Sequence, residues 1–462
     1  MARIVILGGG TAGIIMANRL RRAYAGEISA GRTQIVVVDQ DDDHLYQPGL
    51  LFLPFGAYSP RQLTRKRRPL LKRGIEYRRG SVQSVMLTES AVKLTDGSTL
   101  RYDALIIATG TRLVPSETEG LTGPGWGDKT HEFYTLHGAM RLRDALARFD
   151  GGRLVIDIVD MPIKCPVAPI EFAFLADAYF TRRGIRDRVS ITFVTPLDSA
   201  FTKPACAREL GWMFVKKRIE LVPQFNAGSV DGNRGILKSW DEREVPFDLL
   251  VTVPLHMGAE FVGRTPELGD DMQFVRTDPH TLQSLAAPNV FAIGDATNLP
   301  ASKAGSVAHF EAEVLTENVR AFLAGKPMTA TFDGHANCFI ESGFGKALLI
   351  DFNYDVEPLP GRFPFAAVGP LKLLAESRLN HLGKLAFRWV YWHMLLPGRN
   401  IPFVGAQMSM RGKKLVQPAV SPVSPAPPVS PAPPVSPVAT AASPRTAPET
   451  PADEQIPAGS HP

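Results

Sequence analysis

The stretch Ile4-Val5-Ile6-Leu7-Gly8-Gly9-Gly10-Thr11-Ala12-Gly13 lies close to the start of the chain and predicts the fold of its first part. An apolar run typical of a buried strand leads directly into Gly8, Gly10 and Gly13, which fit the pattern G-x-G-x-x-G. In this pattern the first glycine permits a tight turn, the second admits a pyrophosphate to the backbone, and the third packs a helix against the strand. The stretch therefore predicts a dinucleotide-binding strand–helix unit.

The residues that follow the glycines complete this fingerprint. Thr11 and Ala12 begin the predicted helix, whose free N–H groups suit a phosphate. Asp39 ends a second apolar run at residues 34–38, and an acidic residue at this distance can bond the 2′-hydroxyl of a ribose. The alternative to a bound dinucleotide is a glycine-rich turn without a ligand.

Two small-residue turns further along the chain indicate that the dinucleotide is FAD. Ala108, Thr109 and Gly110 end a buried strand, where small residues let a cofactor approach the backbone. Gly294 and Asp295 follow a later strand, and an aspartate there can hold a ribityl hydroxyl. In this order, together with the fingerprint, the turns are typical of a flavoprotein with two dinucleotide-binding domains.

Two basic features leave alternatives open. Lys303 follows the second turn, where it either contacts the cofactor or an electron acceptor, or is an ordinary surface lysine. The run Arg65-Lys66-Arg67-Arg68 is either a solvated face or a contact to anionic lipid. The sequence alone does not decide between these interpretations.

A second strand–helix alternation between residues 150 and 265 predicts a second Rossmann-like domain inserted in the first. Its first turn reads Asp160-Met161-Pro162-Ile163-Lys164-Cys165-Pro166-Val167-Ala168-Pro169-Ile170-Glu171. Without glycines the backbone cannot approach a pyrophosphate, and the prolines remove N–H donors. NADH or NADPH is therefore disfavoured as the electron donor, and a redox sulfur site is predicted in place of a nicotinamide site.

The predicted fold class is α/β, with two Rossmann-like dinucleotide-binding domains and C-terminal amphipathic membrane-binding helices. An amphipathic helix is indicated near residues 384–396, with Leu385, Trp389 and Trp392 near Leu396 on its apolar side. The alternative is an ordinary helix packed on the domain. The predicted division is an FAD-binding domain (1–115 and 266–335), the second domain (150–265), a flavin, quinone and membrane-attachment region (336–413) and a disordered Pro/Ser/Ala-rich tail (416–462).

Composition narrows the function classes. The chain has 462 residues, 44% of them hydrophobic, a net charge of +5 and three cysteines, which lack metal-binding spacing. The positive charge mildly favours anionic partners, but no nucleic-acid motif accompanies it. The N-terminus has no signal-peptide layout and no apolar run is long enough to span a bilayer, so we expect a protein of the cytoplasm or the membrane surface, with a homo-oligomer left open.

Across residues 1–413 the chain resembles the sulfide:quinone oxidoreductases. The resemblance is carried by the FAD fingerprint, the run Lys164 to Pro169 with Glu171, the cysteine that begins Cys338-Phe339-Ile340-Glu341, and the aromatic and basic C-terminal segment. A third, earlier cysteine found in many family members is missing. The chain is therefore similar to a two-cysteine branch, and Cys206 is predicted to be structural.

The resemblance implies roles for the site residues. Cys165 and Cys338 would form a redox pair near FAD, and Glu171 would move protons. Sulfide would be the electron donor and ubiquinone or menaquinone the acceptor, reached from the membrane through the aromatic residues Phe344, Phe352 and Tyr391. The alternatives are a soluble sulfide dehydrogenase flavoprotein that reduces a cytochrome, an NADH:quinone oxidoreductase, and a non-catalytic sulfur-sensing flavoprotein.

Overall fold

The computed structural model describes residues 1–366 and 368–415, so the predicted tail at 416–462 lies outside the described residues. The strands of the described part are, in chain order, β1 (Ala2–Leu7), β2 (Thr33–Asp39), β3 (Asp43–Leu45), β4 (Thr64–Lys66), β5 (Ile75–Arg79), β6 (Val82–Met86), β7 (Ala91–Leu94), β8 (Thr99–Arg101), β9 (Ala104–Ile107), β10 (Arg112–Leu113), β11 (Thr130–His131), β12 (Gly152–Ile158), β13 (Val189–Val194), β14 (Ile219–Val222), β15 (Ala227–Asp231), β16 (Ile236–Ser239), β17 (Glu244–Pro246), β18 (Leu249–Val253), β19 (His256–Met257), β20 (Val290–Ala292), β21 (Ala336–Gly343), β22 (Lys346–Phe352), β23 (Gly361–Phe363) and β24 (Leu371–Leu373).

The helices connect these strands and close the C-terminal part. The α-helices of the described residues are α1 (Thr11–Ala23), α2 (Ala25–Ser29), α3 (Pro60–Leu63), α4 (Leu136–Arg148), α5 (Ala168–Arg182), α6 (Pro204–Lys216), α7 (Glu260–Gly263), α8 (Gly305–Leu323) and α9 (Arg378–Val390). Short 3₁₀ helices lie at Gln47–Leu51, Leu53–Phe55, Arg68–Leu70, Pro115–Glu117, Arg186–Arg188 and Gly294–Ala296, and a π-helical turn at Tyr391–Leu395 continues α9.

The first parallel sheet is built from both ends of the predicted FAD-binding region. Its strand order is β20-β9-β1-β2-β5, with every neighbouring pair parallel. β1, β2 and β9 are almost continuous apolar runs and are buried, as expected of strands covered on both faces. The glycine-rich turn after β1 therefore lies at the carboxyl edge of this sheet, next to the turns after β9 and β20.

The second parallel sheet has the order β11-β18-β12-β13-β14, again with parallel neighbours. All its strands fall between β10 and β20 in the chain, which confirms the predicted α/β class with a second Rossmann-like unit inserted in the first. The domain limits given above stay a prediction. β12 leads directly into the cysteine-bearing loop, and α5 follows that loop.

The C-terminal part adds an antiparallel hairpin and a helix. β21 pairs with β22, and Gly343 at their turn approaches α5 so closely that a Cβ there would lie 2.8 Å from the carbonyl oxygen of Phe174. Ser377 caps α9 by accepting a hydrogen bond from the N–H of Asn380 at 3.0 Å. The hairpin and α9 thus cover the edge of the fold from which the cysteine loop emerges.

The exposed face of α9 differs from the predicted apolar face. Leu385 and Trp389 are exposed, as expected, but Trp392 and Leu396 are buried. The π-helical turn beginning at Tyr391 changes the number of residues per turn, so residues beyond it rotate toward the core. No helix among the described residues is both long and apolar enough to cross a bilayer.

Candidate active site

A cavity of about 260 Å³ lies at the carboxyl edges of the two parallel sheets, the usual place for ligands in open α/β folds. Its walls come from the turns after β1, β9, β12 and β20, from the start of α8, from β21 and from α9 with its π-helical extension. The lining residues used below are Gly10, Thr11, Ala12, Ala108, Thr109, Gly110, Thr111, Tyr134, Lys164, Cys165, Glu171, Gly294, Asp295, Lys303, Cys338, Lys384, Phe387 and Tyr391.

The glycine-rich turn has the geometry that a dinucleotide needs. Gly8 has φ +98°, and a Cβ on it would lie 2.4 Å from the carbonyl oxygen of Ala108. A Cβ on Gly13 would lie 1.9 Å from the carbonyl oxygen of Gly8, whereas one on Gly10 would meet no atom within 4 Å. Gly8 and Gly13 are therefore needed for packing, while Gly10 leaves its part of the cavity free for a pyrophosphate.

The other predicted cofactor turns line the same cavity. The hydroxyls of Thr109 and Thr111 are buried and have no hydrogen-bond partner among the described residues, which fits a site that a polar ligand completes. Gly294 has φ +70°, and Asp295 follows it in a single 3₁₀ turn. The long helix α8 begins only at Gly305, later than expected, and its first residues line the cavity.

Asp39 lies apart from these turns. Its carboxylate accepts a hydrogen bond from the N–H of Gly9 and pairs with the Arg67 guanidinium at 2.8 Å. Asp39 does not line the cavity. Its bond to a ribose stays a prediction, and Arg67, expected on a solvated or lipid-facing run, is instead buried against it.

Lys303 is buried, so the surface alternative for this lysine is wrong. Its ammonium donates hydrogen bonds to the carbonyl oxygens of Thr297 at 2.6 Å and Asp295 at 3.1 Å, and it lies 4.2 Å from the Phe274 ring centroid. Burial lowers the pKa of Lys303, against the raising effect of the Asp295 carboxylate. The ammonium thus holds the backbone of the Gly294–Asp295 turn in place.

The cysteine-bearing loop is held by the segment that contains Lys303. The N–H of Cys165 donates to the Lys303 carbonyl oxygen at 2.7 Å, and Lys164 forms a parallel bridge with Lys303. Cys165 has φ +51°, a left-handed conformation that side chains other than glycine seldom adopt. Its carbonyl accepts the N–H of Ala168 at 2.9 Å, and α5 begins at that residue. These bonds fix Cys165 at the cavity wall.

Cys338 reaches the same cavity from β21, where it pairs with Ile350. Both cysteines are free thiols. Burial raises the pKa of the Cys338 thiol to about 12 and raises that of Cys165 further, while the Lys384 ammonium lowers both. The cation that favours the thiolates is therefore Lys384.

Glu171 and Lys384 form a buried ion pair beside the two thiols. One carboxylate oxygen of Glu171 accepts hydrogen bonds from the Lys384 ammonium and from the N–H of Glu341 at 2.6 Å. The other oxygen, Oε2, has no partner among the described residues. Burial raises the pKa of Glu171 to about 7, opposed mainly by the Lys384 charge. This carboxyl group can therefore take up and release a proton near neutral pH.

A second carboxylate continues this polar cluster toward the surface. The Glu341 side chain is buried, and both its oxygens lie 2.9–3.0 Å from Nδ1 of His381, which is partly exposed. Burial raises the pKa of Glu341, opposed by Lys384 and His381. The cluster thus connects the buried pair with solvent.

Tyr391 joins the C-terminal segment to the glycine-rich turn. Its hydroxyl lies 2.7 Å from the Thr11 hydroxyl and 2.7 Å from Nε2 of His44. Burial lowers the pKa of His44 to about 4, so its imidazole is neutral at physiological pH. The other two residues predicted at a quinone pocket do not line the cavity: Phe344 is half exposed in the β21–β22 turn, and Phe352 is buried at the far end of β22.

Comparison with known proteins agrees with this architecture. Residues 2–156 match the family model described as pyridine nucleotide-disulphide oxidoreductase. The mitochondrial sulfide:quinone oxidoreductase of Mus musculus is 26% identical over 86% of this chain and 86% of its own length, and that of Schizosaccharomyces pombe is 26% identical over 88% and 92%. The resemblance to the sulfide:quinone oxidoreductases is confirmed.

The solved structure of sulfide:quinone oxidoreductase from Aquifex aeolicus shares the fold. It superposes with a TM-score of 0.73 at 20% identity, over 86% of this chain and 92% of that chain. The protein is accordingly an FAD-dependent oxidoreductase, as its sequence predicts. Gly10, Thr11 and the turns at Ala108–Gly110 and Gly294–Asp295 are the residues that would hold FAD.

Among the residues of this flavoprotein's cavity that sequence reasoning missed are Lys384, Phe387 and Tyr134. Lys384 and Phe387 lie on α9, where the spacing indicated an amphipathic helix but not which side chains face inward. Tyr134 follows the two-residue strand β11, and no motif surrounds it. Only the tertiary structure brings these three to the cysteines.

Proposed function

We propose that this protein is a sulfide:quinone oxidoreductase, which oxidises sulfide to polysulfide or zero-valent sulfur and reduces ubiquinone or menaquinone. The observation that carries the proposal is that Cys165 and Cys338, from distant parts of the chain, line one cavity together with the turns that would hold FAD. The names of the relatives given above support the same substrates.

In the proposed reaction the two thiols are first oxidised to a disulfide, and the two electrons and two protons that they lose would go to FAD, when bound, and to nearby bases, respectively. Hydrosulfide then attacks this bond: a new S–S bond forms, the old one breaks, one cysteine carries a persulfide, and the other is released as a thiolate. FAD, when bound, supplies the capacity to accept two electrons and pass them to a quinone. The protein's own contribution is to position the sulfurs, to stabilise the thiolates and to accept the released protons.

Lys384 stabilises the thiolates, and Glu171 accepts the protons. Because burial raises the pKa of both thiols, a cation is needed for a thiolate to form, and Lys384 is the cation that lowers the pKa of both. Glu171, with a pKa raised to about 7, accepts the protons that leave the thiols. Its unpartnered Oε2 is the atom available for this transfer.

The quinone site is proposed where α9 passes from the surface to the cavity. On the outer side of α9, Leu382 is 56% exposed and Trp389 is 60% exposed. Leu379 and Leu385 are exposed as well. Such an apolar helix face suits insertion into the interface of a bilayer. Phe387 and Tyr391, on the inner side, line the cavity. We therefore propose peripheral attachment to the cytoplasmic membrane, with quinone entering along α9.

Anaerobic flavin bleaching tests the proposal. Sulfide is expected to bleach the flavin of the wild type, and decylubiquinone to restore the colour. Cys338→Ser should abolish bleaching by sulfide, whereas Cys206→Ser should retain it because Cys206 is buried and does not line the cavity. Bleaching by NADH alone, or re-oxidation by cytochrome c in place of the quinone, would overturn the proposal.

A further inference from the structure

Tyr134 lines the cavity, yet the proposed reaction gives it no part. Its side chain is 7% exposed, and its hydroxyl is buried with no hydrogen-bond partner among the described residues. A buried hydroxyl without a partner costs free energy, so native structures normally supply one from the protein, water or a ligand. The free hydroxyl therefore indicates a ligand atom in the cavity.

The position of the Tyr134 ring is fixed by its neighbours. The ring packs against Phe133 at 4.9 Å between centroids, and His256 lies edge-on to it at 5.1 Å. The backbone N–H of Tyr134 donates to the carboxylate of Glu132, which also accepts from Thr135. Since His256 keeps its own Nε2 unpartnered, this imidazole is not the acceptor for the tyrosine hydroxyl.

Tyr134 shares its cavity with the sulfur site. Cys165 and Glu171 line the same cavity. Burial raises the pKa of Tyr134, and Cys165 is the strongest of the neighbouring groups that raise it further, followed by Glu171 and Glu132. The phenol therefore stays protonated. Toward an anion in this cavity, its hydroxyl acts as a hydrogen-bond donor.

We propose that the Tyr134 hydroxyl donates a hydrogen bond to the sulfur anion at Cys165, first its thiolate and then the terminal sulfur of its persulfide. This rests on the proposed function, since it assigns that reaction a further residue. Lys384 supplies charge to both cysteines from the α9 side, while Tyr134 supplies a directed donor from the β11 side. A donor of this kind favours the anionic over the protonated sulfur.

Alkylation of Cys165 by iodoacetamide as a function of pH tests this assignment in the FAD-loaded Cys338→Ser protein. Modification is read peptide by peptide by mass spectrometry, so Cys206 does not interfere. Tyr134→Phe is expected to raise the pH midpoint by about one unit, which slows alkylation about tenfold below the midpoint. Tyr102→Phe is the matched control, because its hydroxyl is likewise buried and unpartnered but lies outside the cavity lining.

Two results would overturn the assignment: an equal shift in Tyr102→Phe, or an unchanged midpoint in Tyr134→Phe, in particular one accompanied by faster FAD release. The last would mean that the hydroxyl serves the cofactor. The assay contains neither sulfide nor quinone. A midpoint shift in a protein whose wild type fails to bleach with sulfide would therefore refute the proposed function and leave the Tyr134 contact standing.

Discussion

The hydroxyl of Tyr391 lies 2.7 Å from that of Thr11, which stands 380 positions earlier in the chain. Thr11 begins the helix of the dinucleotide fingerprint, and Tyr391 begins the π-helical turn that continues α9. The same hydroxyl also reaches His44. The cofactor turn and the C-terminal segment are therefore one hydrogen-bonded unit.

Tyr391→Phe should loosen this unit. The change leaves the buried Nε2 of His44 without a partner, which costs about 1–3 kcal/mol. We expect a lower free energy of unfolding and faster FAD release, measured by denaturant titration and by flavin fluorescence. Tyr46→Phe is the control, because its ring packs edge-on against Tyr391 at 4.8 Å outside this hydrogen-bonded unit. Unfolding and FAD release like those of the wild type would contradict the prediction.

Lys384→Met should destabilise the protein more at pH 8 than at pH 6. Removing one partner of a buried ion pair leaves an uncompensated charge and costs about 3–5 kcal/mol. Because loss of the Lys384 charge would raise the pKa of Glu171 further, this carboxyl group would be protonated at pH 6 and the cost would be smaller there. Chemical unfolding at the two pH values measures the difference.

The double variant Glu171→Gln/Lys384→Met is the control for that prediction. Replacing both partners removes the unpaired charge, so it should recover most of the stability lost at pH 8. Equal destabilisation of the single and double variants would show that Lys384 acts through packing alone.

Asp157 should make the protein less stable as the pH rises. This β12 carboxyl group is fully buried, and burial raises its pKa from 3.8 to about 7. Among the described residues, the one hydrogen bond to the carboxyl group comes from the Thr252 hydroxyl at 3.1 Å. Its contribution to stability is complete below pH 3.8 and is lost as the pH rises toward 7, because ionisation is disfavoured in the folded state. Asp157→Asn should remove this slope and stabilise the protein at pH 8 by up to about 4 kcal/mol. A variant whose unfolding follows the same pH dependence as the wild type would contradict this.

Trp389→Asp should weaken binding to liposomes. An aspartate on the exposed face of α9 would have to be desolvated on insertion, so we expect at least a tenfold loss of the bound fraction in sedimentation with phospholipid vesicles. Trp240→Asp is a matched control, since Trp240 is 76% exposed but lies next to β16, far along the chain from α9. An equal loss in both variants would argue against α9 as the membrane contact.

The parts of this fold that sequence could predict are those set by local patterns. Gly8, Gly10 and Gly13 act within one turn, and the apolar strands before them bury both faces, so the parallel sheets followed from the sequence. A sulfur site at the Cys165 loop was predicted from the residues and its pairing with Cys338 from the family resemblance, and the structure places both cysteines at one cavity.

The interactions that sequence could not predict join residues far apart in the chain. Nothing near Lys384 indicates that its partner is Glu171, because a lysine on an amphipathic helix usually faces solvent. For the same reason the sequence left Lys303 undecided and placed Arg67 wrongly, since their burial depends on packing with distant segments. The π-helical turn at Tyr391 further shifted the faces of the C-terminal helix away from ideal periodicity.

The bond from the N–H of Cys165 to the carbonyl oxygen of Lys303 limits how this protein could change its electron donor. A glycine-rich turn grafted between β12 and α5 would change the backbone path that brings the N–H of residue 165 to the Lys303 carbonyl oxygen. The segment beside the flavin turn would then lose its backbone partner as well. Conversion to a nicotinamide-dependent enzyme would thus require both segments to be rebuilt together, which makes the sulfur-bearing turn hard to reverse one substitution at a time.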